Sequence, residues 1–256
     1  MSDSASIVVD HVVKRFKLSN QKTIKRLSVN AAKGRELSRA FTALDDITFT
    51  LNQGDTLGLM GLNGSGKSTL LKLISGVMRP DEGKVLARGR IAGLIEVGAG
   101  FHPDLSGREN IYLNGAILGM TKPQIDRKLE SIVAFSEMEQ FLGNSVRHYS
   151  SGMFMRLAFS VAVHTECDIF LIDEVLAVGD QPFKKKCMAR IQDLKAEGRT
   201  MVFVSHSAKQ VVALCERGIV LQKGRMTFDG TARDAVKALG YELDDDDDAD
   251  EVAAGE

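Results

Sequence analysis

The sequence predicts an α/β fold: a parallel sheet flanked by helices, an antiparallel β edge subdomain and an inserted helical lobe. Three observations carry that prediction. Asp55–Met60, Asp168–Glu174 and Thr200–Ser205 are short runs with apolar centres, the pattern of strands buried on both faces. A glycine-rich stretch, Gly61-Leu62-Asn63-Gly64-Ser65-Gly66-Lys67-Ser68-Thr69, joins the first run to a helix-like Thr69–Ser75. Residues 101–148 then change character, with helical stretches and many polar positions.

Taken in order, Ile7–Val13 reads as a first strand. Leu44–Leu51 alternates apolar and polar residues and reads as a second, edge strand. Between them, residues 17–43 are polar and basic and read as an insertion with one short helix. Gln53-Gly54 is a turn. Gly76 and Pro80 stop the helix after the glycine loop. Lys84–Val97 carries strand-like material. Gly107–Leu118 and Pro123–Phe135 read as helices within a lobe spanning 96–160, and Phe154–Val163 as a strongly helical run at its end. Phe183–Glu197 is an amphipathic helix and Ala208–Cys215 another. Gly218–Gln222 and Met226–Asp229 read as a hairpin, followed by a last helix, Thr231–Leu239. No repeat of 20–50 residues is visible. The expected division is one domain over 1–240 and an acidic, disordered tail over 241–256.

The chain has 256 residues, 44% hydrophobic and 26% charged, with a net charge of −1. No overall field favours nucleic acid. The charge is uneven: residues 1–40 hold nine Lys/Arg against three acids, whereas 241–256 hold nine acids and no Lys/Arg. Such an acidic run reads as a solvated tail. Cys167, Cys187 and Cys215 lie far apart and form no CxxC pattern, so they read as buried thiols in a reducing compartment. The first residues have no signal-peptide pattern. No window of 18 apolar residues occurs, so no segment is expected to span a bilayer.

The stretch Gly61–Ser68 has the spacing G-x-x-x-x-G-K-S of a phosphate-binding loop. A triphosphate needs backbone N–H groups converging on its oxygens, and glycines permit the left-handed angles that make such a nest. The following helix adds its N-terminal positive end. Gly61, Asn63, Gly64, Ser65, Gly66, Lys67, Ser68 and Thr69 are therefore the expected nucleotide-binding residues. Lys67 reaches the β and γ phosphates, and Ser68 offers a hydroxyl to Mg²⁺. Asp173 and Glu174 end an apolar strand. A carboxylate there is placed to hold Mg²⁺ through water, the role given to Asp173. Glu174 is placed to polarise the attacking water. His206 ends a second buried strand and is expected at the γ-phosphate.

These motifs occur in the order and at the spacing of ATP-binding-cassette ATPase domains, which the chain resembles over residues 7–240. The carriers are Gly61–Thr69, Tyr149-Ser150-Ser151-Gly152-Met153, Ile169–Glu174, Ala177–Asp180 and His206. Tyr149–Met153 looks like the family's signature, normally Leu-Ser-Gly-Gly-Gln. Within the family the chain resembles the nucleotide-binding subunits of polysaccharide exporters of the O-antigen, teichoic-acid and capsule group. That likeness rests on Glu96–Asn110, on Tyr149–Met153 and on Asp173–Asp180.

The resemblance implies a P-loop ABC-ATPase core that uses ATP and Mg²⁺, in a head-to-tail homodimer with two ATP molecules between the subunits. Ser150 and Gly152 would meet the γ-phosphate held by the other subunit. Phe16, which matches the family's aromatic after the first strand, would stack on adenine. Glu96 stands where the family usually has Gln and is expected at Mg²⁺ or its water. Ser151, Met153 and Ala177 also depart from the usual Gly, Gln and Ser. The implied partner is a multi-span membrane permease, two copies with two ATPase subunits, that handles a lipid-linked polysaccharide; no nucleic acid is implied. The implied place is the cytoplasmic face of a bacterial membrane, as a peripheral subunit. Some members of the group carry a carbohydrate-binding domain after the ATPase core. With the acidic tail following residue 240, none is expected here, and substrate choice is expected in the permease or at the lipid-linked end. Lys22, Lys25 and Arg26 are expected near anionic lipid head groups or a lipid pyrophosphate. An ATPase of a drug exporter, or a soluble cassette protein without a membrane partner, remains the alternative.

Overall fold

The computed structural model describes residues 4–17, 40–93, 98, 100–173, 179–205 and 207–241. Nine strands and seven helices lie among them. Strands β1 (Ala5–Lys17), β2 (Ala40–Asn52) and β4 (Glu82–Ala87) form an antiparallel sheet in the order β2-β1-β4. Strands β3 (Thr56–Met60), β5 (Ile91–Gly93), β6 (Ile169–Ile172), β7 (Thr200–Val204), β8 (Arg217–Gln222) and β9 (Arg225–Thr231) form a second sheet, ordered β5-β6-β7-β3-β8-β9. That sheet is parallel except for β9, which returns antiparallel along β8.

Why the central strands read as continuous apolar runs is visible in their partners. Successive side chains point to opposite faces. Leu57, Leu59, Ile169, Leu171, Val202, Val204, Ile219 and Leu221 face a core shared with β1, β2 and helix α1 (Lys67–Ile74). Met60, Phe170, Ile172, Met201, Phe203 and Val220 face the other way. There they meet α4 (Ser151–Val163), α5 (Gln181–Ala196), α6 (Ala208–Leu214) and α7 (Ala232–Ala238). Both faces are dry, so neither alternates with polar residues.

Helices α2 (Gly107–Ile117) and α3 (Lys122–Ser136) build a smaller core of their own from Ile111, Met120, Ile125, Ile132 and Leu142. Helix α4 belongs to both bodies. Leu157 and Val161 face the small core, whereas Phe159, Ala162 and Val163 face the main one. The predicted fold class is therefore the observed one, and α4 is the shared wall between lobe and sheet.

Three element boundaries differ from expectation. The strand-like stretch 84–97 is not one element: β4 belongs to the antiparallel sheet and β5 to the parallel one. The handover is fixed at Asp168, whose carboxylate accepts the Arg90 amide at 2.7 Å. Residues 40–43, expected at the end of the basic insertion, are already strand, paired from Ala40 opposite Lys17. Residues 18–39 of that insertion, with Lys22, Lys25 and Arg26, lie outside the described residues, as do 242–256 of the acidic tail. The hairpin of β8 and β9 forms as expected, but β8 also pairs in parallel with β3, Met60 opposite Val220. Its apolar run is too short to announce an interior strand.

The three cysteines are buried. Burial pushes their thiols up, to about 11 for Cys167 and about 12 for Cys187 and Cys215, so they stay protonated and unreactive at neutral pH.

Candidate nucleotide site

The parallel strands bring their carboxyl ends to one edge of the sheet, where ligands of such sheets bind. A cleft of about 220 Å³ lies there. Asn63, Gly64, Ser65, Gly66, Lys67, Ser68 and Thr69 line it, together with Asp173, Val204, Phe41 and Ala43. The loop and the first acid, far apart in sequence, thus face the same space.

Two glycines set the loop's path. Gly61 has φ 141°, and a Cβ there would fall 2.2 Å from the Leu221 carbonyl oxygen. Gly66 has φ 110°, and its Cβ would fall 2.7 Å from the Ala43 carbonyl oxygen and from Leu44. Both combine a left-handed backbone with a wall of main chain or core, so no other residue fits.

Lys67 opens α1 and is buried. Its Nζ donates to the Gly61 carbonyl at 2.6 Å and to the Leu62 carbonyl at 3.1 Å, which bends the ammonium back over the loop. Among the described residues no side chain caps α1, and its first turn carries no acid. Its leading N–H groups are thus left for a ligand. Ser65 Oγ is buried and finds no hydrogen-bond partner among the described residues. A buried, unpaired hydroxyl in a glycine nest is costly; a phosphate oxygen would satisfy it. These residues fit a bound phosphate chain.

Asp173 follows β6, half-buried, on the same cleft as the exposed Ser68. Oxygen donors of this kind suit Mg²⁺, which takes few protein ligands and keeps its waters. Glu174, His206 and Glu96, expected to join them, lie outside the described residues.

The aromatic on the cleft is Phe41, half-exposed at the start of β2. Phe16, expected to stack on the base, is its direct partner across β1 and β2. The Lys14 ammonium lies 5.7 Å from the Phe16 ring. Sequence reading missed Phe41 because it lay in what read as insertion. The available signal was the antiparallel pairing that puts one aromatic opposite the other.

Ser150 and Gly152 do not line this cleft; they stand at the start of α4. Ser150 is the N-cap, and its Oγ accepts the Met153 amide at 3.2 Å. Gly152 has open space where a Cβ would be, its nearest neighbour being Ser150 Oγ at 3.9 Å. Behind them the Tyr149 hydroxyl donates to the Phe141 carbonyl at 2.8 Å, and the ring lies against Gly107. Burial pushes the Tyr149 phenol up.

Compared with known proteins, the chain matches the family described as ABC transporter over residues 44–177. It is 48% identical over 198 residues to the ABC transporter protein AbcA of Aeromonas salmonicida, covering 77% of this chain and 64% of the relative. It is 42% identical to the O-antigen export system ATP-binding protein RfbB of Klebsiella pneumoniae, covering 87% of this chain and 92% of the relative. It is 40% identical to the teichoic acids export ATP-binding protein TagH of Listeria monocytogenes, covering 93% and 70%. The match thus spans less than two thirds of some relatives and nearly all of others. Among solved structures, the chain superposes on the ATP-binding subunit of an ABC transporter with a TM-score of 0.72 at 23% identity, over 92% of this chain and 93% of that one. It superposes on a dimeric ATP-binding cassette in a post-hydrolysis state with ADP and Pi with a TM-score of 0.71 at 22% identity, over 89% and 99%. At these identities the structures speak for the fold.

Proposed function

This chain belongs to the ABC transporter family and carries that family's nucleotide-binding domain; from that premise we propose that it is the ATP-hydrolysing subunit of an exporter of lipid-linked polysaccharide. The observation that carries the ATPase half is the cleft itself. A helix N-terminus and a glycine nest with a buried hydroxyl, both without a side-chain partner among the described residues, and Asp173 line it together. The cargo half rests on relatives named for O-antigen and teichoic acid export, at 40–42% identity over most of this chain.

In this reading the backbone N–H groups of Gly64–Thr69 and the Lys67 ammonium hold the phosphates. Phe41 and Phe16 supply the apolar surface for the base. Ser68 and Asp173 would hold Mg²⁺, with Glu96 near its waters. When bound, the ion draws charge off the β and γ phosphates. Glu174 takes a proton from the attacking water, and His206 steadies the γ-phosphate. Ser150 and Gly152 have no phosphate to meet within their own chain, since they lie off the cleft. They act on a nucleotide held by a second copy, in a head-to-tail dimer. Closure of that dimer moves the lobe, which drives a membrane permease, and product release reopens it. Among the described residues no helix is long and apolar enough to cross a membrane, so the permease supplies the pathway. The working place is the cytoplasmic face of the bacterial membrane.

The test is the Glu174→Gln variant. It should bind ATP and release almost no phosphate, and its pulldown in gentle detergent should bring a multi-span protein with a polyprenyl-linked glycan. Normal turnover would refute Glu174 as the base. A small hydrophobic cargo, or a ribosome or DNA complex, would refute the polysaccharide reading.

A further inference from the structure

Where α3, α4 and α5 meet, one arginine bridges all of them. Arg156 lies on α4, two turns after Ser150, and its side chain is 19% exposed. One guanidinium nitrogen donates to Glu137 at the end of α3, at 2.6 Å. Another donates to Asp180 at 2.7 Å. The guanidinium carbon sits 4.7 Å from the centre of the Phe183 ring on α5. Lys186, one turn further along α5, closes the ring of charges by reaching Glu137 at 3.1 Å.

Each partner marks a point of leverage. Asp180 is the N-cap of α5, its carboxylate also accepting the Phe183 amide at 3.2 Å. It stands shortly after Asp173 in the chain, the acid that lines the cleft. Glu137 has a left-handed backbone, φ 59°, as the C-cap that follows α3. Both carboxyls are held below their ordinary values: Asp180 by the Phe183 amide and then Arg156, Glu137 by Lys186 and then Arg156. A planar fork on two carboxylates and one ring fixes direction in a way a lysine cannot.

We propose that Arg156 is a positioning residue that makes the signature helix and the start of α5 move as one body, so that a phosphate docking on Ser150 is felt at Asp180. This rests on the dimeric ATPase reading above. It couples the two halves of each subunit: the half that meets a partner's nucleotide and the half that reacts on its own.

The test uses the full chain and five variants. Asp180→Asn keeps a good helix cap while removing the charge, so it separates the ion pair from folding. Arg156→Gln and Asp180→Asn should each lower kcat about tenfold and leave the KM for ATP within about twofold, the signature of an interaction made beyond ground-state binding. The double variant should be no slower than either single one. Arg156→Lys should fall between wild type and Gln, and Glu137→Gln should cost less than Asp180→Asn. Unchanged kcat with a lowered Tm would make the network merely structural and overturn the proposal. So would a KM rising in step with the loss of kcat. If the wild-type chain hydrolyses no ATP, the ATPase reading fails by itself. ATP-driven self-association in the Glu174→Gln background then reads the joint, and unaltered association in Asp180→Asn overturns it.

Discussion

Two helix N-termini among the described residues carry the proposed phosphate contacts, and they are built in opposite ways. Helix α1 begins in a cleft, with a buried lysine at its first position and, among the described residues, no side-chain cap and no partner for the serine hydroxyl beside it. Helix α4 begins at the surface and is capped by its own Ser150. The first terminus is unsatisfied and therefore prepared for a ligand. The second is already satisfied, and a ligand must displace or share the Ser150 bond to Met153. In the proposed reading, the difference separates a half that binds from a half that responds.

The sharpest way to break that contrast is at the loop. Gly61→Ala puts a Cβ against the Leu221 carbonyl at a φ of 141°, a strain of about 1–3 kcal/mol before any clash is counted. Nucleotide binding should vanish in a fluorescent-analogue titration, with a lowered Tm. Lys67→Met should lose about a hundredfold in nucleotide affinity, since a charge-assisted contact worth roughly 1.5–3 kcal/mol is removed from a site with little else charged. Retained affinity in either variant would mean that the cleft is not where the phosphates sit.

At α4 the expected outcome is reversed. Ser150→Ala should cost about 1 kcal/mol of stability as a lost cap, yet leave nucleotide affinity of the single chain intact. Gly152→Ala enters open space and should stabilise the helix, by about 0.5–1 kcal/mol. Turnover should nevertheless fall in the same variant, because the added methyl obstructs a phosphate from the partner. A Gly152→Ala protein that is more stable and equally fast would remove α4 from the chemistry. A smaller effect is expected at Phe41→Ala. Loss of one aromatic face under a base costs about 1–3 kcal/mol, so affinity should drop by about five- to a hundredfold, and Phe16→Ala should cost less because Phe16 does not line the cleft. Equal effects would mean that the two rings act as one platform.

Much of this was legible in the sequence where physics acts locally. Thr56–Met60 could be read because both of its faces are dry, and the loop after it because glycine, lysine and serine at that spacing have few other uses. Residues joined only by the tertiary fold were not legible. Phe41 reaches the cleft through a strand pairing, and Arg156 meets Asp180 through the packing of two helices. From sequence alone β8 reads as half a hairpin, because its second neighbour, β3, lies far back in the chain. Local pattern names an element; only the fold says which elements share a wall.

The smallest expected effect tests that shared wall by pH. His164 ends α4, its Nδ1 2.7 Å from the Ser160 carbonyl and its ring edge-on to Phe135 at 5.6 Å. Burial, and after it the nearby Arg190 and Lys128, hold its pKa below the ordinary 6.5 despite the Ser160 carbonyl. The folded chain therefore binds a proton less readily than the unfolded one. The stability this contributes is fully present above about pH 6.5 and is lost as pH falls through the unfolded value towards the folded one. Tm measured between pH 7.5 and 5 should decline more steeply in wild type than in His164→Gln, whose side chain stays neutral. The phosphate loop has no such dependence on His164, so nucleotide affinity should follow the same course in both proteins. If affinity diverged as well, α4 and α1 would be responding together, and the contrast between a binding half and a responding half would fail at its joint.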